Sequence, residues 1–209
     1  LALVADGMEL VPDLSHMAKR LRQDRLSKEL LVRAARVRSA GDEPLAVDAT
    51  AGLGEDALLL SAAGFRVILY ESDPTIAALL RDSLRRAAND PLLAEAAVRM
   101  ELREGDSVEG LRRMEESPEA EHPDVVYLDP MFPERRKSAA VKKKFQLIHH
   151  LERPCSNEEE LFEAAMAAHP RKVVVKRPLK GPWLAGVKPS HSLAGKAVRY
   201  DCYVLAKRN

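Results

Sequence analysis

Asp48-Ala-Thr-Ala-Gly52-Leu-Gly54-Glu-Asp-Ala57 is the stretch of sequence that decides the fold. It overlaps a short apolar segment, Leu45–Ala49, which we predict to be a buried strand, and it leads into a predicted helix over 55–63. Gly52 and Gly54 have no Cβ, so the backbone between strand and helix can turn sharply and approach a ligand. Because glycine turns are common at such junctions, the pattern alone favours a nucleotide-binding turn no more than a simple tight turn.

The sequence on the C-terminal side of this turn alternates between apolar strands and amphipathic helices. Asp73-Pro74 is a typical helix start, with Asp as the N-cap and Pro in the first turn. Such alternation predicts an α/β fold with a mostly parallel sheet and helices on both faces. The further predicted strands are Arg66–Glu71, Val98–Arg103, Asp124–Asp129 and Lys172–Lys176, followed by a last extended segment, Lys196–Ala206.

The N-terminal part has a different pattern, which divides the chain into two predicted units. Apolar residues on both sides of Asp6-Gly7 predict a β-hairpin, and the basic segment 19–38 has the apolar spacing of one helix. We therefore expect a small N-terminal hairpin and helix subdomain over residues 1–40. The main domain would cover residues 41–209.

Composition and charge exclude several classes of protein. Of the 209 residues, 46% are hydrophobic, which is enough for a core, but no apolar run approaches the length of a membrane span. We expect a cytoplasmic protein with no membrane partner and no metal, because Cys155 and Cys202 have no metal-ligand spacing. Although the net charge is only +1, basic residues concentrate in 19–38 and 135–144, which predicts a face that meets an anion.

Two carboxylates indicate which cofactor the glycine turn would serve. Glu71 ends the second strand and could accept hydrogen bonds from ribose hydroxyls, although a surface charge is the simpler interpretation without the turn. Asp48 stands directly before the turn, where it would repel a pyrophosphate but suit the ammonium group of methionine. The residues therefore favour S-adenosylmethionine over a nicotinamide dinucleotide, and a nicotinamide-dependent oxidoreductase is the weaker alternative.

A third motif, Asp129-Pro130-Met131-Phe132-Pro133, follows the predicted fourth strand. Ligands of open α/β sheets bind at the carboxyl ends of strands, so Asp129 could accept from an exocyclic amine there while Phe132 stacks on the base. The alternative is a proline-rich strand exit with Phe132 packed in the core. The order of the three motifs favours the functional interpretation.

This third motif, followed by Arg-Lys-Ser-Ala-Ala-Val-Lys-Lys, resembles the bacterial ribosomal RNA small subunit methyltransferase J family, which methylates a guanine N2 of 16S ribosomal RNA. The resemblance implies a class I methyltransferase fold of the Rossmann-like type. It also implies S-adenosylmethionine as cofactor and 16S ribosomal RNA or the small ribosomal subunit as partner. The resemblance extends to four segments, Leu31–Ala35, Asp48–Asp56, Val173–Pro178 and Arg199–Tyr203. Its cofactor residues fall on Glu55, Asp56, Glu71, Ser72, Asp106, Ser107 and Asp129, beside Asp48, Gly52 and Gly54 from the motif itself.

For the reaction we predict that Asp129 orients the amine and that Phe132 holds the base. Trp183 lies in a Pro- and Gly-rich loop, and we interpret it as a packing residue. The run Lys142–Lys144 could equally be a solvated helix face, and the alternative functions are methylation of another amine, such as adenine N6, or RNA binding without catalysis. The predicted RNA contacts are Arg135, Arg136, Lys137, Lys142, Lys143, Lys144, Lys176 and Arg177.

Overall fold

The computed structural model describes residues 1–5, 8–38, 43–116, 121–130 and 157–206. Strands and helices are numbered here in chain order. The strands are β1 Leu3–Ala5, β2 Met8–Leu10, β3 Leu45–Asp48, β4 Arg66–Glu71, β5 Met100–Glu104, β6 Val125–Leu128, β7 Lys172–Pro178, β8 His191–Ala194 and β9 Val198–Val204. The helices are α1 Ala18–Leu21, α2 Gln23–Leu26, α3 Leu30–Ala35, α4 Glu55–Ala62, α5 Pro74–Ala87, α6 Ala94–Ala97, α7 Ser107–Glu116 and α8 Glu158–Ala167.

Seven strands form one sheet in the order β5-β4-β3-β6-β7-β9-β8. Strands β3 to β7 pair in parallel, whereas β9 is antiparallel to both of its neighbours. The chain builds outward from β3 to β5 and then returns to β6 on the other side of β3. Open α/β sheets bind ligands at such a reversal, at the carboxyl ends of the strands. The prediction of a mostly parallel sheet is confirmed.

Helices cover both faces of this sheet, which is also as predicted. On one face, α7 and α8 contribute Leu111 and Phe162 to a core with the strands. On the other face, α3, α4 and α5 contribute Ala34, Leu60 and Leu80. Every residue of β3 and β6 is buried, since both faces of the central strands are covered.

Helix α5 begins as the sequence predicted. The Asp73 side chain accepts hydrogen bonds from the backbone N–H groups of Thr75 and Ile76, at 2.8 and 3.0 Å. Pro74 is the first residue of the helix. These bonds satisfy two of the N–H groups that a helix start leaves without a partner. They also fix the direction in which the chain leaves β4.

The N-terminal part agrees with the prediction only in its hairpin, where β1 and β2 pair with Leu3 opposite Leu10. The single basic helix is wrong, because the chain leaves helical geometry at Arg22 and at Glu29 and forms three short helices instead. The breaks let Leu26 pack with α4 in one cluster while Ala34 packs against the sheet in another. Helix α3 lies before residue 40 but packs in the core of the sheet. The domain boundary at residue 40 stays a prediction.

The C-terminal end of the sheet contains one strand more than predicted. Strand β9 lies within the predicted extended segment, but β8 precedes it and forms the sheet edge. Most of β8 is exposed, so its sequence has no apolar alternation from which it could be recognised. Among the residues in the described ranges, no helix is both long enough and apolar enough to cross a membrane.

Candidate functional site

A pocket of about 480 Å³ opens at the carboxyl ends of β3, β6 and β7, where the sheet order reverses. It combines the glycine turn with side chains from three neighbouring strands and from the N-terminal part. This volume lies in the range of pockets that bind small ligands and cofactors. The polar residues of its lining include Asp48, Thr50, Asp56, Tyr127, Asp129 and Lys176.

The glycine turn has the backbone conformation that its sequence predicts. Gly52 and Gly54 have φ angles of 52° and 80°, in the left-handed region that favours glycine. Gly54 is the N-cap of α4, and a Cβ at this position would lie 2.7 Å from Cδ1 of the buried Leu80. Backbone geometry and the close packing of α5 therefore both favour glycine at position 54.

Thr50 connects the two strand ends on which the predicted site depends. Its backbone N–H donates to Oδ1 of Asp48 at 3.0 Å, which holds this carboxyl at the end of β3. The Thr50 hydroxyl oxygen accepts a hydrogen bond from the backbone N–H of Asp129, at 2.7 Å. The sequence reasoning did not single out Thr50, although its place inside the motif was a signal.

Lys176 lines the pocket, and its predicted contact with RNA stays a prediction. Its Nζ is 2.7 Å from Oδ2 of Asp56 and 2.7 Å from Oδ2 of Asp129. The Tyr127 hydroxyl also donates to Asp56 Oδ2, at 2.6 Å. Burial opposes the charge of Lys176, but the two carboxylates outweigh it and raise its pKa above the ordinary value. Lys176 thus joins the α4 and β6 sides of the pocket.

Asp48 is the most deeply buried acid of this group, at 1% exposure. Burial raises the pKa of Asp48 to about 8, against the hydrogen bond from Thr50, and the charges of Asp56 and Asp129 act in the same direction as burial. Without a cationic ligand beside it, Asp48 is therefore mostly protonated at neutral pH. With Asp56 and Asp129 ionised and Lys176 charged, these four groups carry a net charge of −1, which attracts a cation and repels a polyphosphate.

Glu71 supports the glycine turn from the neighbouring strand. Its Oε2 accepts from the backbone N–H of Gly52 at 3.0 Å, and its Oε1 accepts from that of Asp73 at 2.8 Å. Burial raises the pKa of Glu71, while these N–H bonds lower it. Glu71 is absent from the pocket lining, so its predicted contact with a ribose stays a prediction.

Ser72, Asp106 and Ser107 lie at the carboxyl ends of β4 and β5, next to Glu71 but outside the lining of this pocket. The backbone N–H of Gly105 donates to the Glu71 carbonyl oxygen at 2.9 Å, which brings the two strand ends together. Asp106 Oδ1 accepts from the N–H of Val108 at the start of α7. The predicted cofactor residues thus fall into two adjoining groups, which the hydrogen bond from Gly52 to Glu71 connects. One group lines the pocket, and the other, which consists of Glu71, Ser72, Asp106 and Ser107, lies beside it.

A wall of the pocket comes from the N-terminal residues 10–14 and His16, which the sequence reasoning left without a role. His16 Nε2 lies 3.3 Å from Oε1 of Glu55 at the start of α4. On the other side, Arg86 of α5 donates to the carbonyl oxygen of Pro12. These residues could be recognised as part of the pocket only from the tertiary structure, because the local sequence does not indicate that they pack beside the glycine turn.

The prediction that Arg177 contacts RNA is contradicted by its burial. Its side chain is only 1% exposed, its Nε donates to the carbonyl oxygen of Pro182, and Glu158 lies 3.5 Å from its Nη1. Successive residues of a strand face opposite sides of a sheet, so Lys176 and Arg177 cannot both face the pocket. The other predicted RNA contacts, together with Phe132, lie outside the described residues; they are Arg135, Arg136, Lys137, Lys142, Lys143 and Lys144.

Within the described part of the chain, no group of three or more His, Cys, Asp or Glu side chains could hold a metal ion. S-adenosylmethionine, which the resemblance implies, fits the pocket better than a dinucleotide does. Its sulfonium and ammonium groups are cations, whereas a pyrophosphate would meet the carboxylates of Asp56 and Asp129. The buried Asp48 would gain a favourable charge partner on ionisation.

Comparison with known proteins agrees with this site. A family model described as a putative SAM-dependent methyltransferase matches residues 8–205. The ribosomal RNA small subunit methyltransferase J of Thioalkalivibrio sulfidiphilus is 46% identical over 88% of this chain and 71% of that protein. The protein of the same name from Pseudomonas fluorescens is 45% identical over 85% of this chain and 66% of its own length. The chain thus spans about two thirds of the length of these relatives.

Solved structures support the fold. A SAM-dependent methyltransferase from Neisseria gonorrhoeae has a TM-score of 0.75 and 32% identity, over 97% of this chain and 77% of that chain. A ribosomal RNA methyltransferase from Streptomyces viridochromogenes, at 21% identity and a TM-score of 0.54, matches in fold alone over 86% of this chain and 84% of that chain. The chain has the class I methyltransferase fold, and it belongs to the ribosomal RNA small subunit methyltransferase J family of SAM-dependent methyltransferases.

Proposed function

We propose that this protein transfers a methyl group from S-adenosylmethionine to the exocyclic N2 amine of a guanosine in 16S ribosomal RNA. The observation that carries the proposal is the acidic pocket at the β3 and β6 strand ends, where Lys176 holds Asp56 and Asp129 beside the buried Asp48. The family relatives, named as small subunit ribosomal RNA methyltransferases, support the substrate class. We also propose a cytoplasmic location, since small ribosomal subunits are there.

The donor half of the site would consist of the glycine turn, Asp48, Glu71 and the adjoining strand ends. When bound, S-adenosylmethionine supplies an electrophilic methyl group on a sulfonium. Because Gly52 and Gly54 have no Cβ, S-adenosylmethionine could lie close to the backbone of the turn. Asp48 would accept a hydrogen bond from the ammonium group of this ligand. The carboxylate of Glu71, which already orders Gly52, retains acceptor capacity for ribose hydroxyls because each carboxylate oxygen has two lone pairs.

The acceptor half would centre on Asp129, which follows β6. Its backbone is fixed by Thr50 and one of its carboxylate oxygens by Lys176. A carboxylate held in this way can accept from the guanine amine and stabilise the positive charge that develops on the nitrogen. Lys176 would keep Asp129 ionised and correctly oriented. Most of the acceleration would come from holding donor and amine in line.

The test is single-turnover methylation of 16S ribosomal RNA and of small subunits, with labelled donor and nucleoside analysis of the product. Asp129→Ala should lower the turnover rate by about a hundredfold or more while RNA affinity stays within a few-fold, because it removes a contact made mainly in the transition state. Asp90→Ala, outside the pocket, is the matched control. Near-wild-type turnover of Asp129→Ala would refute the catalytic role, and a product other than N2-methylguanosine would refute the specificity.

The same experiment separates the alternatives. Methylation of adenine N6 would appear as a different labelled nucleoside. A non-catalytic RNA-binding protein would leave the RNA unlabelled and would bind no donor in calorimetry. A nicotinamide-dependent enzyme would bind the dinucleotide in preference to S-adenosylmethionine, against the negative charge of Asp56 and Asp129.

A further inference from the structure

The loop between β7 and β8, residues 179–190, is a surface to which the proposed function assigns no role. It begins three residues after Lys176, so its start lies about 10 Å along an extended strand from the pocket. We call it the β7–β8 loop. Its first residues leave the sheet at the same carboxyl edge as Asp129, because β6 and β7 are parallel neighbours. Its last residues turn back along the sheet, where the Val187 carbonyl oxygen accepts from the Tyr203 hydroxyl.

This loop is held firmly by its backbone. The Arg199 guanidinium donates to the carbonyl oxygens of Pro178 and Leu179, at 2.8 and 2.9 Å. Arg199 is itself fixed by the fully buried carboxylate of Asp201, at 2.9 and 3.0 Å. Further along, Leu184 is fully buried in the core of the sheet. The loop is therefore a preorganised part of the surface.

Large apolar side chains nevertheless point outward from this anchored loop. Leu179, Trp183 and Val187 are 40%, 43% and 43% exposed, three of the nine exposed large hydrophobic residues of the described part of the chain. Trp183, which the sequence indicated as a packing residue, thus leaves a large part of its ring accessible to solvent. An aromatic side chain left in solvent by a loop that buries its neighbour Leu184 indicates a surface for a partner.

The charge around Trp183 indicates which partner. No Asp or Glu occurs between Glu163 and Asp201, whereas Lys180 and Lys188 flank Trp183 in the loop and are exposed. An aromatic face between exposed cations is the pattern of single-stranded nucleic-acid binding, where bases stack and lysines neutralise phosphates. Protein interfaces are depleted in lysine, so a protein partner fits this surface less well.

We propose that the β7–β8 loop docks single-stranded RNA beside the pocket, with Trp183 stacking on a base that flanks the target nucleotide and Lys180 and Lys188 contacting phosphates. The inference rests on the proposed function and adds the surface that orients the RNA. It also explains why the loop is fixed so firmly. A stacking platform that needed ordering at each encounter would lose part of its binding energy.

Trp183 is the only tryptophan of the chain, so its fluorescence reports on this surface directly. A short single-stranded RNA of mixed sequence should quench its emission, whereas inorganic polyphosphate, which has charge but no bases, should not. Trp183→Ala should weaken RNA binding roughly 5- to 150-fold, and Trp183→Phe should restore most of it. Replacing Lys180 and Lys188 together by Ala should lower the salt slope of binding by about 1.4. Leu92→Ala, which shortens an exposed apolar side chain elsewhere on the surface, is the control.

The outcomes separate this inference from the proposed function. The loop proposal is overturned if RNA leaves the emission unchanged, or if folded Trp183→Ala binds RNA as wild type does. It is also overturned if the emission changes with protein concentration alone, since the surface would then bind a second copy. Donor calorimetry and methylation by wild type test the proposed function separately: a methylating wild type with an indifferent Trp183→Ala refutes only the loop.

Discussion

Replacing Lys176 by Met tests the organisation of the pocket most directly. Met keeps the length and apolar stem of lysine but removes the charge that lies 2.7 Å from Asp56 and from Asp129. Two carboxylates would then share a partly buried site with no cation between them. We expect Lys176→Met to lower the free energy of unfolding and to leave the sheet intact, because the backbone pairing of β7 with β6 and β9 does not depend on this side chain.

The magnitude follows from burial. Breaking a buried ion pair by removing one partner costs about 3–5 kcal/mol. The side chains of Lys176, Asp56 and Asp129 are 19%, 21% and 34% exposed, so water reaches the carboxylates and the lower end, about 3 kcal/mol, applies. With a urea dependence of about 2 kcal/mol per molar, the unfolding midpoint should fall by about 1.5 M.

Urea unfolding followed by circular dichroism measures this change, and Lys180→Met, on the exposed loop, is the matched control with an expected change within about 0.5 kcal/mol. Because the folded protein raises the pKa of Lys176, its stabilisation is complete below the ordinary value of 10.5 and is lost only as the pH rises through the higher folded value. The titration of Lys176 itself should therefore add no pH dependence from pH 6 to 9, whereas the effect of Lys176→Met should grow as the pH rises through the Asp48 pKa of about 8, because the charge of Lys176 also lowers that pKa. The role of Lys176 as the ion-pair partner of Asp56 and Asp129 would be refuted if Lys176→Met were as stable as wild type. It would also be refuted if this variant showed a weaker salt dependence of RNA binding, as expected of a residue that contacts phosphates.

Three further predictions follow from individual groups. Asp48→Asn should make the unliganded protein more stable than wild type at pH 8, by an amount that shrinks toward pH 4. The reason is that the raised pKa of Asp48 makes wild type lose stability as the pH rises from 4 to 8. Thermal melts at both pH values check this difference, and calorimetry should show that the variant binds the donor more weakly. Gly54→Ala should cost roughly 1–3 kcal/mol of stability, since a Cβ adds left-handed strain and displaces Leu80; a melting temperature equal to wild type would contradict the packing role. Glu71→Ala should weaken donor binding by about 1.5–3 kcal/mol and leave RNA affinity nearly unchanged, and equal losses for both ligands in calorimetry would point to general damage.

Local chemistry explains what could be predicted from the sequence. The inner parallel strands β3, β4 and β6 were recognised because both of their faces are buried, so they read as apolar runs. The glycine turn and the Asp73 cap follow from the conformational preferences of single residues, which need no knowledge of the rest of the fold. The order of these elements placed Asp48 and Asp129 at the same sheet edge, and the structure has them there.

Other features could not be read from the sequence for equally physical reasons. The basic segment has helical spacing throughout, but its breaks at Arg22 and Glu29 are set by packing against α4 and the sheet. Strand β8 is an exposed edge without an apolar pattern. Trp183 is a large apolar residue in a loop, and only the tertiary structure shows that 43% of it is exposed.

The sequence by itself determined the α/β fold, the glycine turn and the acids at the strand ends, because each of these depends on residues close together in the chain. Only the tertiary structure decided which basic residue serves the pocket. Lys176 meets acids that lie 120 and 47 residues away, while Arg177 faces the other side of the sheet. The alternation of side chains along a strand is certain from its sequence, but which alternate set faces the site depends on what packs against each face of the sheet.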